Sequence, residues 1–372
     1  MARNRQDVDS PTLEVPLTDL RIFLFGNSGY ASVLLSSLIA RGENVIGVCT
    51  RPEDSLMRRV RRQIGHLSRN IGLQTDAFIL PGPFDHLQTP HRIARQAGIP
   101  VLNSAELRAA RFADRIRRHR PDVVLVAGFH RLIPTSVFGL ARLAAINFHP
   151  GLLPKHRGGT PNRWVIRLGE GESGVTAHLL SEEFDKGDVL AERRVSVGAN
   201  DTWGDLEARI VGILVPFVCE VLDTVRQGRI DPRPQSDAAA RYEPPLKGDH
   251  LVIDWSLSVS EIRRICYAIR PKSGGITDYR GQRVCIWDLE PAESERTDRD
   301  PGTIVRVDAD GRPLVACGDG VARVTRFVRR GRVVPAAAVV RALNLRPPGK
   351  FGPAPPSQPG SPRGYQGDRS GV

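Results

Sequence analysis

Two side chains suited to acyl transfer stand two positions apart at the end of an apolar run. Asn147 and His149 lie in LAAINFHP (143–150). Residues i and i+2 of a strand share a face, so both side chains should point the same way, and Pro150 ends the strand because it lacks a backbone donor. An amide donates hydrogen bonds to an oxyanion, and an imidazole moves a proton or stabilises negative charge. The pair therefore suits acyl transfer.

A carboxylate further along the chain is a candidate partner for the imidazole. Asp185 lies in FDKGDVL (184–190), on an expected tight turn two residues before Gly187. From such a turn its carboxylate would raise the pKa of His149 or fix its tautomer. Each of these residues taken alone is more often structural. Their occurrence together with a loop rich in Gly and Pro (151–161), which allows close approach to a ligand, indicates a site.

The predicted elements place these side chains at one edge of a parallel sheet. Residues 20–42 are typical of a strand, a turn and a helix, and 44–50 of a second strand, which together make a βαβ start. IPVLN (99–103) and DVVLVAGF (122–129) predict further strands, the latter apolar enough for the sheet centre. Ligands bind at the carboxyl edge of such sheets. The turn FGNSGY (25–30) departs from G-x-G-x-x-G, so a dinucleotide site is weakly supported.

Shifts in composition divide the chain. A polar arm without periodicity (1–18) precedes a catalytic domain (19–228). A stretch rich in Pro, Asp and Ala (229–249) predicts a linker. Short β-like runs with turn signals within 250–346 predict a small barrel. Residues 347–372 hold seven Pro and six Gly, which predicts a disordered tail.

Charge and cysteine usage narrow the class of protein. Lys and Arg number 53 against 41 Asp and Glu, which gives a net charge of +12. Such a surface attracts nucleic acid or phosphorylated molecules, although a coding bias toward Arg explains it equally well. The five cysteines are dispersed and none belongs to a CxxC motif, so we expect no disulfide framework and no zinc site. No apolar run of ~18 residues and no leader is present, so we expect a cytoplasmic protein without membrane contact.

One long block resembles a known family. NFHPGLLPKHRGGTP (147–161), followed by a Gly-Val-Thr strand and an Asp-x-Gly turn, resembles the folate-dependent formyltransferases. PDVVLVAGFHRLIP (121–134) is similar to the segment that lines their folate pocket. The runs at 253–271 and 301–308 resemble the C-terminal domain of the methionyl-tRNA and sugar branches. The resemblance implies an α/β fold, with a Rossmann-like, mostly parallel N-terminal domain and a smaller OB-like C-terminal β-barrel.

The resemblance also implies roles for single residues. The catalytic Asn, His and Asp of the family fall on Asn147, His149 and Asp185, with 10-formyltetrahydrofolate as formyl donor and no metal. The resemblance also implies six positions that bind the formyl donor: Ala127, Phe129, His130, Leu132, Ile133 and Lys186. The candidate contacts to the substrate are Asn27, Arg58, Arg59 and Trp164.

Three functions stay open. TPNRWVI (160–166), with its Trp, is more similar to the sugar and amino-acid branches, which favours a small amine such as an amino sugar, an amino acid or an ornithine-type precursor. Basic clusters at 58–69 and 108–120 favour initiator methionyl-tRNA, unless they are only solvated faces. A non-catalytic, basic RNA-binding homologue is the third alternative. Gly151 stands where the family usually has Ser, which puts one local hydrogen bond in doubt.

Overall fold

The computed structural model describes residues 19–52, 83–292, 295 and 297–353. The predicted arm (1–18), the basic cluster 58–69 and the residues after 353 lie outside this part of the chain. Among the described residues, no helix combines the length and the apolar character needed to cross a membrane.

The N-terminal sheet is mostly parallel, as predicted. Its strands are β1 (Ile22–Phe25), β2 (Val45–Thr50), β3 (Val101–Asn103), β4 (Val123–Ala127), β5 (Ala144–His149), β7 (Glu172–Leu179) and β8 (Val189–Ser196). The spatial order is β3-β2-β1-β4-β5-β7-β8. The first five strands run parallel, whereas β7 and β8 are antiparallel. Every residue of β1 and β4 is buried, because helices cover a parallel sheet on both faces.

Helices pack around this sheet. They are α1 (Gly29–Ala40), α2 (Pro90–Gln96), α3 (Ala110–His119), α4 (Thr135–Phe138), α5 (Pro161–Leu168) and α6 (Trp203–Arg226). The longest, α6, begins with a capping box in which Thr202 and Asp205 satisfy each other's backbone N–H groups. Its Phe217 ring packs edge-on against Phe148 of β5, with the centroids 5.8 Å apart. This contact fixes the strand that carries Asn147 and His149 from behind.

A second domain forms a curled antiparallel sheet. It comprises α7 (Val259–Tyr267), β10 (Gly275–Tyr279), β11 (Gln282–Pro291), β12 (Ile304–Val307), β13 (Pro313–Cys317), β14 (Gly320–Arg329), β15 (Arg332–Pro335), α8 (Ala336–Leu343) and β16 (Phe351–Gly352). The order is β12-β13-β14-β11-β10-β16, with β15 paired to β14. The Ile304 N–H donates to the Gly349 carbonyl and the Phe351 N–H to the Gly302 carbonyl, both at 2.8 Å. These bonds join the two edges, so the predicted barrel-like domain is confirmed.

The predicted start of the disordered tail at residue 347 is wrong. Phe351 is 1% exposed, stacks on Trp255 at 5.5 Å and lies in β16, which pairs with β10. The Pro- and Gly-rich composition concealed this single aromatic anchor. Part of the predicted linker (229–249) is ordered too, because β9 (Tyr242–Glu243) pairs in parallel with β6 (Arg157–Gly158).

A buried carboxylate joins three helices of the N-terminal domain. Glu207 of α6 is 5% exposed and accepts hydrogen bonds from the Tyr30 hydroxyl, the Asn162 amide and the Trp203 indole. Burial raises the pKa of Glu207, although these three donors oppose the shift. The network thus fixes α1 and α5 to α6.

We expect Glu207→Ala to lose several kcal/mol of unfolding free energy, since each buried donor left without an acceptor costs ~1–3 kcal/mol. Glu207→Gln keeps an acceptor oxygen and should lose much less. Because burial raises the folded-state pKa, the carboxyl stabilises the wild type most at low pH and loses this contribution as the pH rises through that value. As the pH falls toward about 4, the unfolding free energy of the wild type should therefore rise relative to that of Glu207→Gln.

Urea unfolding of both variants between pH 4 and pH 8 measures this difference. The matched control is Glu220→Ala on the same helix; the Glu220 side chain is 52% exposed and forms an ion pair with Arg193. Exposed pairs contribute at most ~1 kcal/mol, so this variant should stay close to wild type. Equal losses for Glu207→Ala and Glu207→Gln would contradict the assignment.

Candidate active site

The three residues singled out from the sequence meet at the carboxyl end of β5. Oδ1 of Asp185 lies 3.3 Å from Asn147 Nδ2 and 3.5 Å from His149 Nδ1. The side chains of His149 and Asp185 are 4% and 9% exposed. The structure therefore brings together an amide, an imidazole and a carboxylate in one largely buried place.

The orientation of the His149 ring is set by a backbone carbonyl. Its Nε2 lies 2.9 Å from the carbonyl oxygen of His156, which only accepts hydrogen bonds. Nε2 therefore carries a hydrogen, and Nδ1 is the atom that faces Asp185. Gly151 permits this ring position, since a Cβ there would lie 3.1 Å from His149 Nε2. The Gly that replaces the family's usual Ser thus suits a closely approaching ring.

Asp185 is held by its backbone as well as by its side chain. It lies on a turn with φ of 57°, and Gln235 donates from Nε2 to the carbonyls of Asp185 and Gly187 at 2.8 and 2.7 Å. Its Oδ2 accepts from the Gly158 N–H at 2.9 Å. Burial alone would raise the pKa of Asp185, but the imidazoles of His149 and His178 outweigh burial and hold it well below the usual range. The carboxyl is therefore ionised.

Sequence reasoning missed His178, which completes the group. It faces Asn147 across the antiparallel β5–β7 pair. Its Nδ1 donates to the Leu179 carbonyl at 2.8 Å, and its Nε2 lies 3.0 Å from Asn147 Nδ2 and 3.6 Å from the Asp185 carboxylate. A usable signal was present, because Thr176 and His178 are polar residues two positions apart in a buried strand. Thr176 accepts from the Leu153 N–H and donates to the Gly151 carbonyl, which fixes the preceding loop.

A narrow cleft of about 40 Å³ opens beside these side chains. Phe129, Leu132 and Ile133, which the resemblance predicts to bind the cofactor, line this cleft. The other lining residues are Val126, Arg131, Asn147, His178, Leu180, Ser181, Glu183, Phe184 and Asp185.

The other three predicted cofactor residues do not line this cleft. Ala127 is fully buried at the end of β4, and His130 is exposed on the loop that follows. Lys186 pairs with Glu183, with Nζ 2.7 Å from the carboxylate. The structure therefore separates the 127–133 segment into residues with side chains in the cleft and residues outside it.

The predicted substrate contacts fall in different places. Asn27 lies at the carboxyl end of β1, where its Oδ1 accepts from the Arg51 N–H at 2.7 Å. Its amide nitrogen and the Ser28 hydroxyl are buried without hydrogen-bond partners among the described residues. Trp164 instead lies against the segment before the second domain (229–249), where its indole N–H donates to the Pro244 carbonyl at 2.7 Å. It does not line the cleft. Arg58 and Arg59 lie outside the described residues.

The five cysteines lie in the protein interior. Cys49, Cys219, Cys266, Cys285 and Cys317 are all buried, and none of them is bonded to another cysteine. Within the described ranges, no three His, Cys, Asp or Glu side chains converge as metal ligands.

Two family matches agree with this geometry. The Formyl transferase family matches residues 20–215, and the Formyl transferase, C-terminal domain family matches residues 245–344. Together they span most of the chain, so the protein belongs to the formyltransferase family and is an enzyme of that class. The resemblance seen in the sequence is confirmed.

Two methionyl-tRNA formyltransferases match along nearly their whole length. The methionyl-tRNA formyltransferase of Citrifermentans bemidjiense is 29% identical over 337 residues, which is 90% of this chain and 98% of the relative. The methionyl-tRNA formyltransferase of Geobacter sulfurreducens is 28% identical over 339 residues, covering 91% and 98%. The similarity therefore includes both domains.

Solved structures share the fold. HypX from Aquifex aeolicus, crystallised with tetrahydrofolic acid, is 19% identical with a TM-score of 0.55; the match covers 87% of this chain but spans about half (47%) of HypX. The N-formyltransferase from Helicobacter canadensis, in complex with folinic acid and dTDP-3-aminofucose, is 14% identical with a TM-score of 0.55, covering 83% and 99%. At these identities the likeness establishes the fold alone.

We expect Gly187→Ala to disturb the turn that presents Asp185. A Cβ at this position would lie 1.8 Å from the Leu179 carbonyl oxygen, so the backbone must shift. Overpacking of this kind costs ~1–3 kcal/mol, and the shift should separate Asp185 from His149. Denaturant unfolding and the NMR titration of the His149 ring measure the two effects.

Gly212→Ala is the matched control. Gly212 lies on the exposed face of α6, where an added Cβ would meet nothing within 4 Å. Ala in a helix interior is favoured by ~1 kcal/mol over Gly, so this variant should gain stability and leave the His149 titration unchanged. A Gly187→Ala protein as stable as wild type would contradict the tight packing of the turn.

Proposed function

We propose that this formyltransferase moves a formyl group from 10-formyltetrahydrofolate to the primary amine of a small molecule. The observation that carries the proposal is that Asp185 lies within 3.5 Å of both Asn147 and His149, with Asn147 and Asp185 lining the cleft. The pterin of the donor would lie between the walls of that cleft, against Leu132 and Ile133. The formyl group would then point toward Asn147.

The reaction needs stabilisation of one transient negative charge. The amine nitrogen attacks the formyl carbon, and its new bond gives a tetrahedral oxyanion. The bond from that carbon to folate nitrogen then breaks, and a proton passes from the amine to the departing tetrahydrofolate. Asn147 would donate to the oxyanion in place of its 3.3 Å contact with Asp185, the longer of its two. His149, held by Asp185, would add stabilising charge for the oxyanion, and Asp185 would help to route the amine proton.

His149→Ala and Asp185→Ala should each remove most turnover while the protein still folds. Asn147→Ala should lower the rate by ~10²–10³, the usual cost of one oxyanion donor. Residues that act as a unit give losses far from additive, so the double variant should be little worse than either single one. Glu182→Gln, an exposed carboxylate bonded to Thr135, serves as control. Activity within tenfold of wild type for His149→Ala or Asp185→Ala would count against these roles.

Binding of the donor is tested separately from turnover. Calorimetry with 5-formyltetrahydrofolate, a stable analogue, should show binding to the wild type and to His149→Ala alike. Absence of binding at high micromolar concentration would remove the basis of the proposal.

A small acceptor is supported by the first turn and its surroundings. The unpartnered Asn27 amide and Ser28 hydroxyl offer donors at the carboxyl edge of the sheet. Arg51 and His130 lie near each other there, and partial desolvation together with the Arg51 charge lowers the pKa of His130. The lowered pKa leaves the His130 imidazole uncharged, so the positive charge at this edge comes from Arg51, which suits an acceptor that carries a phosphate, such as a nucleotide-linked amino sugar. The placement of Trp164 adds no support, because its indole faces Pro244.

Initiator methionyl-tRNA is the second candidate acceptor. It is favoured by the similarity to methionyl-tRNA formyltransferases over 98% of their length. The basic residues at 58–69 would then meet phosphates of the acceptor.

One variant separates the two acceptors. Replacement of Arg58, Arg59, Arg61 and Arg62 by Gln should leave kcat/KM for a small amine within a few-fold. If tRNA is the acceptor, the same variant should lose affinity and show a shallower salt dependence, by ~0.7–0.9 per phosphate contact. Assays with a panel of amino sugars, amino acids and charged initiator tRNA supply the measurement. Formylation of tRNA alone, lost in the variant, would overturn the small-amine proposal.

A further inference from the structure

A buried histidine outside the catalytic trio lies between two carboxylates. His156 is 2% exposed; its Nδ1 lies 2.7 Å from Glu243 and its Nε2 lies 3.0 Å from Glu170. Ionised carboxylates only accept hydrogen bonds, so both ring nitrogens donate and the ring is an imidazolium. Burial by itself would lower the pKa of His156, but the two carboxylates outweigh it and raise the pKa above its usual value.

The backbone beside this ring holds two of the catalytic side chains. The carbonyl of His156 accepts from His149 Nε2 at 2.9 Å. Two residues on, the Gly158 N–H donates to Asp185 at 2.9 Å. The segment 156–158 therefore sets both the ring orientation of His149 and the position of Asp185.

The partners of His156 come from two separate parts of the chain. Glu243 belongs to β9, which pairs with β6, so that the Arg157 N–H donates to the Arg241 carbonyl at 2.9 Å. Glu170 follows α5 and lines an interdomain cavity of about 360 Å³. Through Glu243, the ring connects the segment 229–249 to the loop that holds His149. Through Glu170, it connects a residue that lines the cavity to the same loop.

The other charges around the ring do not replace this tie. Arg241 lies 3.9 Å from Glu243, and Arg157 points away to Gln235 and Asp237. A neutral ring would donate only one hydrogen bond. If Glu243, whose side chain is 7% exposed, lost that bond, a largely buried carboxylate would keep only the longer contact to Arg241, and the cost would fall on the loop.

We propose that His156 is a positioning residue for the catalytic site: as an imidazolium held by Glu170 and Glu243, it fixes the loop whose carbonyl and amide orient His149 and Asp185. The inference rests on the proposed function for its effect on turnover, but not for its effect on the His149 ring.

The test compares His156→Gln with a control variant, His250→Gln. His250 is exposed and lies directly after the segment 229–249. NMR titration of the His149 ring in the absence of substrate should give a midpoint displaced from wild type in His156→Gln and unchanged in His250→Gln. The turnover number of His156→Gln should fall ~10-fold or more, as expected when a supporting residue of this kind is lost. Affinity for 5-formyltetrahydrofolate should stay within a few-fold.

Stability against pH gives a second measurement. Because the folded-state pKa of His156 is raised, its ion pairs stabilise the protein fully below about pH 6.5 and lose this effect as the pH rises through the folded value. Wild type should therefore exceed His156→Gln in unfolding free energy by more at pH 6 than at pH 9. If His156→Gln does not fold, Glu170→Gln, at a side chain 30% exposed, should displace the same His149 titration.

The outcomes separate this inference from the proposed function. A displaced His149 titration in a protein that transfers no formyl group would support positioning and refute the proposed reaction. An unchanged His149 titration in His156→Gln, or in Glu170→Gln if the former does not fold, would refute positioning even if stability falls, since His156 would then be only structural.

Discussion

The arrangement of the site depends on one buried carboxylate that is never left without partners. Asp185 faces two imidazoles and an amide through Oδ1 and a backbone N–H through Oδ2. A lone ionised carboxylate in such a place would be expensive, and the surrounding donors are what keep it charged. Each neighbour that stabilises the Asp185 carboxylate is itself oriented by that carboxylate. The need to stabilise the buried charge therefore also fixes the positions of the side chains around it.

That constraint explains why the segment before the second domain is more than a connection. Gln235 holds the turn of Asp185 by two carbonyls, and Glu243 holds the loop that supplies the Gly158 N–H. The site is therefore built from the 147–185 block and completed by residues some fifty positions further on. Composition marked 229–249 as a change of domain because Pro-rich segments lack periodicity, but composition does not report hydrogen bonds to a distant turn.

Features that depend on residues close together in the sequence could be predicted, whereas features that depend on residues far apart in the sequence could not. The apolar strands and the pairing of Asn147 with His149 depend on local periodicity, and the sequence alone placed them correctly. His178 was missed because its role arises from the antiparallel register of β5 and β7, which no local pattern fixes. His156 was missed because its partners lie 14 and 87 positions away. Trp164 looked like a pocket residue, yet tertiary packing turned its indole to Pro244.

The closure of the barrel has a consequence for the order in which the protein is made. Domains fold as units while the chain is synthesised, with the N-terminal one first. Among the described residues, those that hold Asp185 by hydrogen bonds or ion pairs, and the strand β9, precede residue 250 and are available early. The barrel instead waits for Phe351, whose ring covers Trp255 and whose N–H joins the two sheet edges. A nascent chain that has passed residue 250 but has not reached residue 351 thus holds these contacts of Asp185 beside an open sheet, whose unpaired edges can add a strand from another chain.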